Sequence, residues 1–157
     1  GAVTGDLFGY SVSDAGDVNN DGFDDVIVGA PGKNTYRGGA HIFFGGQTMD
    51  NKPDVNFSGI SSADWFGTSV SNTGDVNKDD YDDVIIGAFG RYSQKGCAYL
   101  YCGGQIMDNS PDITLNGSAT DDAFGYSVSS AGDVNKDGYY DFIVGAYIMK
   151  RIYARAS

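Results

Sequence analysis

Hydrophobic and polar residues alternate along Phe8–Ala15, with Tyr10 and Val12 on one side and Ser11 and Ser13 on the other, the period-two pattern of a strand. Asp25–Ala30 carries a continuous apolar run instead, as expected of a strand covered on both faces. Ala40–Phe44 is rich in aromatic residues and stops at the turn signal Gly45-Gly46. The short Val55–Ser58 follows a second turn signal at Pro53-Asp54. Four strands are therefore predicted within the first 58 residues.

The same pattern then returns. FGYSVSDAGDVNNDGFDDVIVGA starts at Phe8, FGTSVSNTGDVNKDDYDDVIIGA at Phe66 and FGYSVSSAGDVNKDGYYDFIVGA at Phe124; the spacing is 58 both times, and 14 of 23 positions are identical in all three. A second block recurs as GGQTMDNKPD from Gly45 and GGQIMDNSPD from Gly103. The chain thus divides into repeats 1–58 and 59–116 and an incomplete 117–157. Four short strands per repeat match one blade of a β-propeller, in which radially stacked sheets bury each other's faces. The expected fold is all-β, with blades of four antiparallel strands and about two and a half blades per chain. Gly29-Ala30 and its copies are small residues where backbones could approach closely. After Ala146 the third repeat departs from the pattern and reads YIMKRIYARAS. Propellers typically need about 4–8 blades, so either the chain is a fragment or several chains assemble into a homo-oligomer that completes the ring.

Composition sharpens this picture. All 21 acidic residues are Asp, Gly numbers 24, and only three residues are Leu. Asp and Gly favour turns, while the helix formers Glu and Leu are absent or scarce. A formal charge of −11 argues against a nucleic-acid partner, which needs clustered Lys and Arg. No apolar run is long enough to cross a membrane. The opening residues lack an initiating Met and the basic start and apolar core of a signal peptide, so a mature product or an excised piece is expected. Cys97 and Cys102 sit five residues apart in one predicted strand. Extended chain separates them by roughly 16 Å, too far for a disulfide, so both read as core-filling thiols.

The Asp residues fall at fixed spacings, and that points to chemistry. GDVNNDGFDD, between the first two predicted strands, places Asp17, Asn19, Asp21 and Asp25 at offsets 1, 3, 5 and 9, with Gly22 at offset 6. The second copy offers Asp75, Asn77, Asp79 and Asp83, and the third Asp133, Asn135, Asp137 and Asp141. Calcium takes six to eight oxygens from carboxylates, amides, backbone carbonyls and water. Alternate residues of a tight loop supply such oxygens, and the carbonyls of Phe23, Tyr81 and Tyr139 at offset 7 would complete each cage. An EF-hand is excluded, since its bidentate Glu would fall where Val28, Ile86 and Val144 stand, inside a predicted strand. Three calcium ions per chain are expected. Asp80 replaces the loop glycine in the second copy, where left-handed backbone is expected.

Phe8-Gly9, the acidic loop ending at Asp25, and Gly29-Ala30-Pro31 together resemble the FG-GAP repeat of integrin α-subunit propellers. The resemblance covers almost the whole chain, with Pro31 becoming Phe89 and Tyr147 in the later copies. It implies that Asp17, Asn19, Asp21, the Phe23 carbonyl and Asp25, with their counterparts, are calcium ligands. It implies an extracellular or cell-surface location and a protein or glycan ligand. The family also occurs as an accessory domain of secreted phospholipase-type hydrolases, which is the alternative reading.

Other signals are weaker. His41 lies in a predicted strand without an acidic or Cys partner in its block, and no G-x-S-x-G elbow occurs. Asp pairs such as Asp24-Asp25 repeat in register, whereas an enzyme needs one asymmetric site. Trp65 and the 11 Tyr could form a carbohydrate-binding surface but read more simply as blade packing. Asn56-Phe57-Ser58 and Asn116-Gly117-Ser118 fit the N-glycosylation pattern. The chain is expected to be a calcium-binding module for adhesion or binding outside the cell, and not an enzyme.

Overall fold

A computed structural model describes residues 3–147; most of the divergent tail after Ala146 lies outside the described residues. β1 (Ser11–Gly16), β2 (Asp25–Gly29), β3 (Gly39–Phe43) and β4 (Val55–Ser58) bond in that order as one antiparallel sheet. β5 (Val70–Gly74), β6 (Asp83–Ala88), β7 (Cys97–Tyr101) and β8 (Ile113–Asn116) repeat it. β9 (Phe124–Gly132) pairs with β10 (Asp141–Ala146) as the start of a third sheet. The fold is all-β, with two four-stranded blades and half of a third. β1 is shorter than the alternation predicts, because Phe8–Tyr10 are spent in a turn. There Gly9 N–H donates to the Gly29 carbonyl at 3.0 Å and Tyr10 N–H to Leu7 at 3.0 Å.

The alternation sets which face meets which blade. In β1 the serine side faces the next blade, and the Val12 side faces away from it. Val12 is 68% exposed, whereas its counterparts Val70 and Val128, which turn toward the blade before them, are each 6% exposed. The opposite faces run the other way. Ile27 and Ile85 are fully buried by the blade that follows, and Ile143 is 62% exposed. One core therefore lies between the first two blades, around Ile27, Ile42, Phe57, Phe66, Val84, Ile86 and Tyr101. A smaller one lies between the second and third, around Ile85, Ala98, Leu100 and Val128. The first core carries most of the burial.

Close backbone approach joins the blades. A Cβ at Gly29 would collide with the Gly67 carbonyl, and one at Gly87 with the Gly125 carbonyl. Phe66-Gly67 thus docks on the Gly29 region of the preceding blade, and Phe124-Gly125 on the Gly87 region. Ser11 Oγ–H reinforces the first junction by donating to Gly67 O at 2.9 Å. The expectation of close approach holds at Gly29 and Gly87, whereas a Cβ at the third copy, Gly145, would meet only Ser127 at 3.5 Å.

After β2 and β6 the chain makes a left-handed turn that the sequence does not advertise. Asn34, Thr35 and Tyr36 have φ of 52, 59 and 58°, and Tyr92, Ser93 and Gln94 have φ of 52, 57 and 66°. Such backbone costs about 1–2 kcal/mol per non-glycine residue. Contacts to the next blade offset that cost. Tyr36 O accepts from Trp65 N–H at 2.9 Å, and Gln94 O accepts from Ala123 N–H at 2.8 Å. The same turns align Tyr36, Trp65, Phe89, Tyr126 and Tyr147 in a file, with successive ring centroids 4.4, 5.5, 5.4 and 5.4 Å apart. The rings pack against one another from blade to blade, in keeping with the packing role expected for Trp65 and these tyrosines.

Candidate metal centre

Each acidic loop leaves its first strand through a bulge. The register of β1 shifts between Asp14 and Gly16, and that of β5 between Asn72 and Gly74. Gly16, Gly74 and Gly132 take φ of 70, 70 and 69°, which aims the following Asp into the loop. From there the three loops share one hydrogen-bond plan. Asp21 N–H donates to Asp17 Oδ1 at 3.0 Å and to Asn19 Oδ1 at 2.9 Å, and Gly22 N–H donates to Asp17 Oδ2 at 2.8 Å. Phe23 N–H donates to Asp21 Oδ1 at 3.0 Å. In the second loop Asp79 N–H reaches Asp75 Oδ1 at 3.2 Å and Asn77 Oδ1 at 3.0 Å, and Tyr81 N–H reaches Asp79 Oδ1 at 3.1 Å. In the third, Asp137 N–H reaches Asp133 Oδ1 at 3.1 Å and Asn135 Oδ1 at 2.8 Å, and Tyr139 N–H reaches Asp137 Oδ1 at 2.8 Å. The residues at offsets 1, 3 and 5 are thus gathered within each loop.

The residue at offset 9 sits deeper. Asp25 and Asp83 are fully buried at the start of β2 and β6. Asp25 Oδ2 accepts from Val18 N–H at 3.0 Å and Oδ1 from Gly45 N–H at 2.7 Å. Asp83 repeats this with Val76 at 2.8 Å and Gly103 at 2.9 Å, and Asp141 accepts from Val134 at 3.0 Å. Burial pushes the Asp25 carboxyl up, while the Gly45 and Val18 amides pull against it. Burial raises Asp83 to about 6. These carboxylates close the base of the loop, and each oxygen keeps a lone pair.

The donor set suits a hard divalent cation: three carboxylates and an amide oxygen on one short loop, with no sulfur or imidazole. Among the described residues, no three His, Cys, Asp or Glu side chains converge as around a bound ion. The Asp oxygens are turned onto the loop's own amides instead.

Two loop features differ between copies. Asp80 adopts φ 70°, matching Gly22 at 89° and Gly138 at 86°, so the expected left-handed position is realised by a non-glycine residue. Offset 4 is left-handed too, at Asn20, Lys78 and Lys136, which glycine content alone does not reveal. The sequence reading also missed Asp82. Its Oδ2 accepts Asp17 N–H at 2.9 Å from across the blade junction. Only the change of offset 8 from Asp24 and Asp82 to Tyr140 hints at that position.

The remaining candidates are structural. His41 Nδ1–H donates to Asn56 Oδ1 at 2.7 Å, and burial lowers the imidazole's pKa. Cys97 is buried and Cys102 half-buried, both as free thiols. Phe8, Lys33, His41 and Phe43 line a cavity of about 580 Å³ on the open face of the first blade.

The FG-GAP repeat family matches residues 8–43, 66–96 and 124–147. Integrin alpha-5 of Xenopus laevis is 38% identical over 147 residues, covering 88% of this chain and 14% of that protein. Integrin alpha-8 of Gallus gallus is 31% identical over 154 residues, covering 89% of the chain and 15% of its own length. Integrin alpha-PS3 of Drosophila melanogaster is 30% identical over 164 residues, covering 98% and 14%. The chain therefore spans about a seventh of the length of these relatives.

Proposed function

Since the chain belongs to the FG-GAP repeat family, we propose that it is a calcium-binding propeller module that serves adhesion or protein and glycan binding outside the cell. The observation that carries this reading is the threefold recurrence of one loop, with the same offsets and the same hydrogen-bond plan. Asp17, Asn19, Asp21 and Asp25 would hold the ion in the first loop with the Phe23 carbonyl. Their counterparts are Asp75, Asn77, Asp79, Tyr81 and Asp83, and Asp133, Asn135, Asp137, Tyr139 and Asp141. A bound cation would supply positive charge to a loop whose sequence carries three ligand carboxylates. Three ions would take the formal charge from −11 to −5. Calorimetric titration should find three equivalents, with affinities on the order of 10⁻⁴–10⁻³ M as in extracellular calcium modules. Silence at millimolar calcium would overturn the reading.

The exposed blade faces support completion of the module by further blades. In the second blade, Phe66, Tyr99 and Tyr101 receive Phe57 from the first, with ring centroids of Phe57 and Tyr101 4.4 Å apart. The first blade offers the same socket through Phe8, His41 and Phe43. We infer that another blade face covers it, supplied by a second copy in a ring-like homo-oligomer or by a blade of a longer chain. Light scattering should then report a mass above one chain; a monomer at all concentrations would exclude assembly. Among the described residues no helix is long and apolar enough to cross a membrane. The alternative, an accessory propeller of a secreted hydrolase, would require a catalytic domain elsewhere in the gene product.

A further inference from the structure

The three loops share their ligands but not their neighbours. On the calcium reading above, we propose that the second loop grades the other two: Asp82 strengthens the first site, and Lys78 weakens the third.

Asp82 stands at offset 8, between Tyr81 and Asp83, and its side chain crosses to the first loop. Besides the 2.9 Å bond from Asp17 N–H to its carboxylate, its own N–H donates to Asp17 O at 3.2 Å. Gly16 makes room for this approach, since a Cβ there would overlap the Asp82 carboxyl. Gly104 N–H adds a bond to Val18 O at 2.8 Å, and Val18 is fully buried. The first loop thus gains a fourth nearby carboxylate and a backbone already fixed by the next blade. Both favour a cation, one by charge and the other by preorganisation.

Lys78 acts in the opposite sense. Its φ of 63° is left-handed, and its side chain extends to the third loop. There Nζ lies 3.4 Å from Asp137 O and 3.6 Å from the centroid of the Tyr139 ring. An ammonium at the rim opposes a divalent ion held by Asp133 and Asp137. The third loop also has no blade behind it among the described residues, and Val134 is 69% exposed where Val18 is 0%. The second loop carries both side chains itself, so their opposite charges offset there, and it receives neither kind of group from a neighbouring blade. Tyr140 replaces Asp82 and lays its ring over Gly74, and Asn20 stands in the first loop where Lys78 stands in the second. The order of affinity is first, second, third.

The test is a calcium titration of the full chain by calorimetry, with Tyr-sensitised terbium luminescence reporting the loops that carry Tyr81 and Tyr139. Asp82→Asn keeps an oxygen that accepts the Asp17 N–H but removes the charge. It should lower the tightest association constant roughly threefold to tenfold and change the others by less. Lys78→Gln should raise the weakest constant by a similar factor. That gain should vanish in an Asp137→Ala background, which assigns it to the third loop. Calcium heats with constants that neither variant changes, or that both change uniformly, would overturn the grading and leave the calcium reading standing. Absence of heat in the unsubstituted chain would overturn both.

Discussion

Asp64→Ala should lower the unfolding free energy by about 3–5 kcal/mol, the usual cost of stranding one partner of a buried ion pair. Asp64 Oδ2 lies 3.1 Å from Arg91 Nη1, with the two side chains only 4% and 11% exposed. The same carboxylate oxygen accepts the Ile60 and Ser61 amides at 3.0 and 2.7 Å. Removing it leaves an unpaired guanidinium and two orphaned donors at the junction of the first two blades. Arg91 would keep only neutral partners, Ser61 Oγ at 2.8 Å and the Tyr92 hydroxyl at 3.4 Å, and its Nε already has no hydrogen-bond partner among the described residues. Adding Arg91→Met should recover part of the loss, because it removes the stranded charge. Urea unfolding with the slope held constant measures both effects. A loss below about 1 kcal/mol would place this pair with weak surface bridges.

Phe57→Ala should cost a comparable 3–5 kcal/mol. Phe57 is fully buried and packs its ring 4.4 Å from that of Tyr101 in the next blade. Its loss opens a cavity in the larger core. The counterpart Leu115 is only half-buried, because the described part of the third sheet has two strands. Leu115→Ala should therefore cost clearly less than Phe57→Ala. Equal losses would mean that the two junctions are equally packed, contrary to the full burial of Phe57 and the half-burial of Leu115.

Much of this architecture is legible because the repeat is written three times. Val55–Ser58 runs between the same residues in both readings, and Asp25 and Gly29 bound β2 to within one residue of expectation. The Asp and Asn offsets specify which side chains share a loop, and the loop's amides hold them together. What escaped the sequence is what lies between repeats. Asp82 and Asp17 are 65 residues apart, and Lys78 and Asp137 are 59 apart; neither separation is visible as a motif within one unit. The left-handed turn at Asn34–Tyr36 escaped for a related reason. None of its residues is Gly, and its geometry rests on bonds to Ala63 and Trp65 of the next blade. Local preference lost to tertiary contact there.

If the acidic loops are structural calcium sites, thermal unfolding in calcium must differ from thermal unfolding in chelator. A ligand that binds only the folded chain stabilises it by RT ln(1 + [L]/Kd), about 1.4 kcal/mol per site at ten times Kd. The midpoint should rise when calcium replaces chelator, and Asp21→Ala should remove most of the first site's share of that rise. Identical midpoints in calcium and in chelator would mean that the loops hold no structural calcium.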